Sequence, residues 1–346
     1  MTKNWHFYLT LFFLPLLALC LMGSYYHGPI SDHFNGAHFF NPDGGPKRGT
    51  LPYLRMELIS KRPSWPSHIN NSFADVPPTQ VLGNDLRVSY VGHSTVLIQT
   101  QGVNIVTDPI WSSYAGPTHL FSIQRISDPG ISFDQLPKID LVVISHNHYD
   151  HLDIPTLQKI WDRDQPLIVV PLGTDTVIKR DGKGIKSTAL DWHQFVKLNN
   201  DVTVYLEPSQ HWSRRTITDE NESLWSSYVI DTPGGKIFFA GDTGYGQGTH
   251  FRYMRAKHGE FRFALLPIGS YKPRWFMEYY HMDPEEAVLA HQDLGSPTSL
   301  AIHFDTFHQG DENFNEAPHD LEIAKNHYQV SPQQLRALKP GQAWTM

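Results

Sequence analysis

The chain has 346 residues, a net charge of −7, and 40% hydrophobic against 18% charged residues. That composition excludes a disordered chain, and the acidic balance removes any global electrostatic pull towards nucleic acid or an anionic bilayer. One cysteine, Cys20, excludes an internal disulfide and any multi-thiolate zinc or iron–sulfur site, so a metal centre would have to draw on carboxylates and on the 20 histidines.

At the start, Lys3 precedes an apolar run from Phe7 to Met22, interrupted by Pro15 and followed by Gly23 and Ser24. The run is shorter than the roughly 20 apolar residues that span a bilayer comfortably. It predicts a signal peptide or short membrane anchor over residues 1–26, which would export the remainder to the periplasm or envelope. The cytoplasmic face of the membrane is the alternative location. Leu17-Ala18-Leu19-Cys20 is similar to a bacterial lipobox, with Leu19 large for that position. Residues 27–80 carry Pro46, Pro52, Pro63, Pro66, Pro77 and Pro78 and show no sustained helical or strand period. They read as an extended arm wrapping a main domain over 81–346.

From Leu86 the texture changes. Leu86 to Val91, Ser94 to Thr100 and Val103 to Thr107 read as strands, the last two joined by a Gln101-Gly102 hairpin turn. Leu141-Val142-Val143-Ile144 is apolar throughout, as a strand buried on both faces should be. A helix is predicted from about Pro155. Further strands are predicted over Leu167 to Val170, Val202 to Glu207, Trp225 to Ile230, Ile237 to Ala240, Ala264 to Ile268 and Ser299 to His303. Asp283-Pro284-Glu285-Glu286 is a helix start: Asp283 caps, Pro284 takes the first turn, Glu286 closes a capping box, and Gly295 ends the helix. Strands interspersed with helices indicate an α/β fold whose sheets are covered by helices.

Ser145-His146-Asn147-His148-Tyr149-Asp150-His151 follows the apolar strand directly. The carboxyl end of a buried strand is where α/β proteins build sites. Histidines at alternate positions, then an Asp-His pair, can face two adjacent cations from one loop. Three more ligand types stand in the same context: His211 after the strand ending near Glu207, Asp242 after Ile237 to Gly241, and His303 after Ser299 to Ile302.

This pattern resembles the metallo-β-lactamase superfamily, and within it the branch of phospholipases D that hydrolyse N-acylphosphatidylethanolamine. The likeness rests on Ile144 to Asp153 (ISHNHYDHLD), Pro208 to Trp212 (PSQHW), Phe238 to Tyr245 (FFAGDTGY), Pro267 to Met277 (PIGSYKPRWFM) and His281 to Ala287 (HMDPEEA). It covers about residues 86–310 and implies a four-layer αβ/βα sandwich, two mixed sheets flanked by helices, with the site at one edge. It implies two zinc ions per chain. One would be held by His146, His148 and His211, the other by Asp150, His151 and His303, with Asp242 bridging. The implied chemistry is phosphodiester hydrolysis by hydroxide from a bridging water. Asp150, which accepts its proton, and Asp242 would then be the catalytic carboxylates. Phosphatidic acid and N-acylethanolamine would be the products, at a membrane surface. The resemblance also implies a homodimer.

Residues around this core carry further expectations. His93 and Asp108 would lie beneath the ligands and orient their imidazoles. Tyr271, Arg274, Trp275 and His281 would line the substrate pocket. Asn147 and Tyr149 would shape the loop. The chain departs from the family over residues 116–126, Gly-Pro-Thr-His-Leu-Phe-Ser-Ile-Gln-Arg-Ile. The family carries a Gly-Pro-Lys-Arg-like stretch there, and only Arg125 matches it. Alternatives stay open: a hydrolase of this fold acting on a lactone, cyclic phosphodiester or nucleic acid, or a non-enzymatic envelope protein with structural metals. The last fits less well, because a structural zinc site closes its shell with four protein ligands and this pattern leaves room for water. No nucleic-acid partner is expected from the charge.

Overall fold

The structure is a computed structural model that describes residues 25–46 and 50–346. The expected signal or anchor falls, up to Ser24, outside the described residues. Among the described residues no helix is long and apolar enough to cross a membrane.

Among the described residues sixteen strands and seven α-helices follow one another: α1 (Thr50–Ile59), β1 (Arg87–Gly92), β2 (Thr95–Thr100), β3 (Val103–Thr107), β4 (Tyr114–Ala115), β5 (Ile123–Gln124), β6 (Leu141–Val143), α2 (Ile154–Asp164), β7 (Leu167–Pro171), α3 (Thr174–Asp181), β8 (Thr188–Leu190), β9 (Phe195–Lys197), β10 (Thr203–Glu207), β11 (Ser227–Asp231), β12 (Lys236–Phe239), α4 (Thr249–His258), β13 (Phe261–Pro267), α5 (Arg274–Met277), α6 (Pro284–Leu294), β14 (Ser299–Ile302), α7 (Glu316–His327), β15 (Leu335–Ala337) and β16 (Ala343–Thr345). They form two seven-stranded sheets, β16-β1-β2-β3-β6-β7-β8 and β15-β14-β13-β12-β11-β10-β9. Each sheet is mixed. In the first, β1 to β3 pair antiparallel and β3, β6, β7 and β8 parallel. In the second, β9 to β12 pair antiparallel and β12 to β15 parallel. The last two strands, β15 and β16, close one edge of each sheet.

The period of two sorts side chains between layers. Val96, Ile98, Ile105, Leu141, Val143 and Val169 face the second sheet, among Val204, Leu206 and Tyr228. Their neighbours Leu97, Val106, Val142, Ile144, Ile168 and Val170 point the other way, onto Leu157 and Ile160 of α2 and Val177 and Ile178 of α3. Both faces are buried, which is why β6 reads as a continuous apolar run. The outer face of the second sheet carries α4, α6 and α7 through Phe251, Met254, Val288, Leu294 and Leu321. This is the metallo-β-lactamase sandwich.

Local signals behave as the residues dictate. Gln101 and Gly102 both take positive φ, 54° and 73°, as a tight hairpin turn requires. Asp283 accepts from the Glu286 N–H at 2.9 Å, while the Glu286 carboxylate accepts from the Asp283 N–H at 3.0 Å. The arm differs from its reading in one way. It contains α1, a helix that the proline-rich texture masked, with Pro52 near its first turn where proline is tolerated. It also packs closely on the main domain: Phe34 and Phe39 are each 1% exposed and belong to the main core.

Candidate metal centre

Every ligand candidate stands at one edge of the sandwich, just past the carboxyl end of a strand. The loop 145–151 leaves β6, and His211, Asp242 and His303 follow β10, β12 and β14. His93 sits in the turn between β1 and β2, and Asp108 directly follows β3. His93, Asp108 and His303 all hold positive φ, at 57°, 33° and 62°. Such conformations are uncommon for residues with a Cβ and persist where surrounding structure imposes them.

The loop is fastened to the second sheet. The Ser226 N–H donates to the Ser145 carbonyl at 2.9 Å, and the Tyr228 hydroxyl to the Ile144 carbonyl at 2.8 Å. Gly241 makes this closeness possible. Its φ is +60°, and a Cβ there would lie 2.5 Å from Ser145 Cβ and 2.9 Å from the Ser226 carbonyl oxygen. Gly241→Ala is expected to cost about 2 kcal/mol or more from the combined strain and clash. It should weaken metal binding at the same time, because the displaced turn carries Asp242. Denaturant titration and a chelator competition check the two effects. On the outer side Arg215 clamps the loop, donating to the carbonyls of Asn147 at 3.1 Å and Leu152 at 2.9 Å. Its guanidinium lies 4.0 Å from the Tyr149 ring centroid. Asn147 and Tyr149 therefore shape the loop.

The side chains converge in two overlapping groups. His146 Nε2 lies 2.7 Å from His148 Nδ1, which lies 3.4 Å from His211 Nε2. The second group joins His93, Asp150, His151 and His303. Asp242 Oδ2 connects the groups, 3.1 Å from His303 Nε2, 3.2 Å from His151 Nε2 and 3.8 Å from His211 Nε2. Two of these nitrogens are aimed by what holds the other side of the ring. His151 Nδ1 donates to Asp108 Oδ2 at 2.6 Å, and Asp108 is itself fixed by the Ser145 N–H at 2.7 Å and hydroxyl at 2.6 Å. His211 Nδ1 donates to the Tyr280 carbonyl at 3.0 Å. Asp150 Oδ2 accepts from His93 Nε2 and from Gln309 Nε2, both at 2.8 Å.

The electrostatics ask for a cation. Burial holds the His146 and His211 imidazoles well below their ordinary pKa, leaving them neutral as ligands must be. Burial would raise Asp150 and Asp242, but the neighbouring histidines hold both carboxyls well below the usual range. Burial would likewise lower His151 and His303. Asp242 and Asp150 nevertheless hold His151 well above the ordinary value and His303 up to about 9. Two buried carboxylates thus draw positive charge into one place. Asp242 Oδ1, His151 Nε2 and His303 Nε2 are buried without a hydrogen-bond partner. Leaving such atoms unsatisfied is costly unless something binds them. Nitrogen and carboxylate donors of this kind suit zinc, and equally manganese or iron, so the residues fit the metal that the fold implies.

The remaining expected residues divide. His281 joins the cluster, 9% exposed with its Nδ1 3.9 Å from Asp242 Oδ2. Tyr271 is buried with its hydroxyl donating to Asp320 at 2.8 Å, in a separate cleft of about 390 Å³ beside Asp283 and Glu285. Arg274 is bound to Glu286 at 2.8 Å and to the His281 carbonyl at 2.9 Å. Trp275 is 45% exposed, with Arg55 over its ring. Arg125 turns inward, donating to the Ile110 carbonyl at 2.7 Å and covering the Phe307 ring. Leu120 and Phe121 of the same loop are exposed. Arg215, Gln309 and Asn41 escaped the sequence reading. Each is a single polar residue far along the chain from its partner, and no local pattern marks it.

The β-lactamase superfamily domain model matches residues 103–304. An N-acyl-phosphatidylethanolamine-hydrolyzing phospholipase D 1 of Caenorhabditis elegans is 32% identical over 305 residues, 83% of this chain and 85% of that protein. A mitochondrial N-acyl-phosphatidylethanolamine-hydrolyzing phospholipase D of Saccharomyces cerevisiae is 33% identical over 244 residues, 68% of this chain and 51% of the yeast protein, so the match spans about half of that relative. Among solved structures, the metallo hydrolase Igni18 of Ignicoccus hospitalis aligns with a TM-score of 0.56 at 22% identity, covering 76% of this chain and 98% of that one. That likeness speaks for the fold.

Proposed function

The chain belongs to the metallo-β-lactamase superfamily and, within it, to the N-acyl-phosphatidylethanolamine-hydrolysing phospholipase D family; from this premise we propose that this metal-dependent hydrolase cleaves the headgroup-side phosphodiester bond of N-acylphosphatidylethanolamine or a related phospholipid. The products are phosphatidic acid and N-acylethanolamine, and the cofactor is a pair of zinc ions. The observation that carries this reading is Asp242 Oδ2, one oxygen within 3.8 Å of ligand nitrogens from both groups. Such a shared carboxylate is what a two-metal site requires.

When bound, the ions would polarise a phosphoryl oxygen and lower the pKa of a water between them. His146, His148, His211, Asp150, His151, His303 and Asp242 would hold them. Asp150 stays ionised and takes the proton of the attacking water. His93 and Gln309 keep its Oδ2 directed into the site. As the water oxygen bonds to phosphorus, the bond to the ethanolamine oxygen breaks, and the proton held on Asp150 passes to that oxygen. His281 lies beside Asp242 and faces the phosphoryl group. The exposed Leu120 and Phe121 support work at a membrane surface, and their place in the divergent loop is why a related phospholipid is included. Membrane attachment through residues 1–26 after export, and assembly as a homodimer, complete the proposal.

The test is a zinc-loaded sample incubated with N-acylphosphatidylethanolamine in mixed micelles, with both products followed by mass spectrometry. Chelator-sensitive release of both is expected. Asp150→Asn should slow it by about 10²–10⁴, the range for a positioned proton acceptor, with the fold retained by circular dichroism. No release from metal-bound, folded protein would reject this substrate and direct attention to lactones and cyclic phosphodiesters.

A further inference from the structure

All the ligand candidates lie between residues 146 and 303, yet the segment that precedes the first sheet reaches the same site from behind. The Asn41 side chain donates through Nδ2 to the main-chain carbonyl of His211 at 2.9 Å. Its Oδ1 accepts from the Trp225 indole N–H at 3.1 Å. A carbonyl can only accept and an indole N–H only donate, so these two partners leave the amide one orientation. A few residues on, the Pro46 carbonyl accepts from the Tyr280 hydroxyl at 2.9 Å. Tyr280 is the residue whose own carbonyl accepts from His211 Nδ1 at 3.0 Å. That hydrogen bond places the ring proton on Nδ1 and leaves Nε2 with its lone pair towards His148 and Asp242.

Residues 41–46 therefore touch both supports of one ligand candidate: the backbone of His211, and the residue that fixes its tautomer and ring direction. They are anchored for the purpose. Phe34 and Phe39 are buried, the Phe39 N–H donates to the Asn221 carbonyl at 2.8 Å, and the Tyr279 hydroxyl is hydrogen-bonded to Asp43. His33 joins Asp191 at 2.7 Å and stacks on Trp192.

We propose that residues 41–46 of the arm are a built-in part of the metal position formed by His146, His148 and His211, with Asn41 and Tyr280 acting as positioning residues through His211. The inference rests on the reading that this trio holds a metal.

The experiment measures the two zinc dissociation constants of the full chain by competition with a chromophoric chelator, alongside thermal unfolding of the metal-free protein. Asn41→Ala leaves the Trp225 N–H its second acceptor, the Ser209 carbonyl at 3.0 Å. Tyr280→Phe removes only a hydroxyl and keeps the carbonyl that receives His211. Each variant is expected to weaken one constant by about tenfold or more, as loss of a ligand's supporting partner does, and to leave the other within about twofold. Tyr25→Phe, which deletes a contact to Asp219 at 2.8 Å made just ahead of the arm, should leave both constants unchanged. If Asn41→Ala does not fold, Tyr280→Phe carries the test. Unchanged constants in both site variants would overturn the proposal, and so would an equal loss in Tyr25→Phe. Wild-type protein that binds no zinc would overturn the reading of the trio as a metal position, and this inference with it.

Discussion

Asp242→Asn is expected to remove at least one equivalent of bound metal and to lower kcat/KM by about 10³ or more, the scale on which losing an electrostatic contact to the developing charge is felt. The reason is geometric. Asp242 Oδ2 lies 3.1 Å from His303 Nε2, 3.2 Å from His151 Nε2 and 3.8 Å from His211 Nε2, so one oxygen reaches nitrogens of both ligand groups. Asparagine preserves the shape and withdraws the charge. The histidine nitrogens on either side then lose the anion that draws a cation between them. Replacing His148, whose Nδ1 lies 2.7 Å from His146 Nε2 and 3.4 Å from His211 Nε2, should empty one position and spare the other. Metal content after gel filtration, read beside turnover, separates the two cases. Two equivalents retained by Asp242→Asn at wild-type affinity would show that Asp242 is not the shared ligand.

How much of this was legible in the sequence follows from how far each signal reaches. Loop 145–151 announces itself because its residues are contiguous and sit behind a strand buried on both faces. The capping box at Asp283 is complete within four residues. His211, Asp242 and His303 could be found because each repeats one context, a ligand type after an apolar run. The helix α1 was not legible: Pro52 and the prolines that flank it mask the period, and its apolar positions do not gather on one face. β15 and β16 are short edge strands without an apolar run, and their placement depends on partners across the chain. Phe34 and Phe39 look like stray apolar residues until the core that receives them exists. Asn41, Arg215 and Gln309 act on main-chain atoms or carboxylates far along the sequence, and a single polar residue carries no period at all. Of the substrate candidates taken from the resemblance, His281 lies in the cluster, while Tyr271 and Arg274 are bound to Asp320 and Glu286. A motif fixes which residues travel together and leaves open what each one touches.

The second large effect is on stability, and it lies away from the metal centre. Glu207 ends β10 with its side chain fully buried, and three basic groups surround it. Lys257 Nζ is 2.8 Å from Oε1, His258 Nε2 2.8 Å from Oε1, and His193 Nδ1 2.8 Å from Oε2. Lys257 and His258 belong to the last turn of α4, so this carboxylate ties the C-terminal end of that helix to the sheet. Burial would push the Glu207 carboxyl up, but hydrogen bonds from His193, His258 and Lys257 pull it down, from 4.5 to about 2. A carboxyl lowered by folding stabilises the native state while ionised, and that shift corresponds to about 3 kcal/mol. Glu207→Gln keeps the shape and an acceptor while withdrawing the charge that Lys257 pairs with, so it should cost about 3 kcal/mol at neutral pH. The sign with pH follows. The difference between wild type and variant should be complete above about pH 5, shrink as pH falls through the unfolded value, and vanish near pH 2. Denaturant titrations of chelated protein at several pH values check this, chelation keeping metal release at low pH out of the comparison. A difference that stayed constant down to about pH 3 would mean that packing, rather than the charge on Glu207, holds α4 to the sheet.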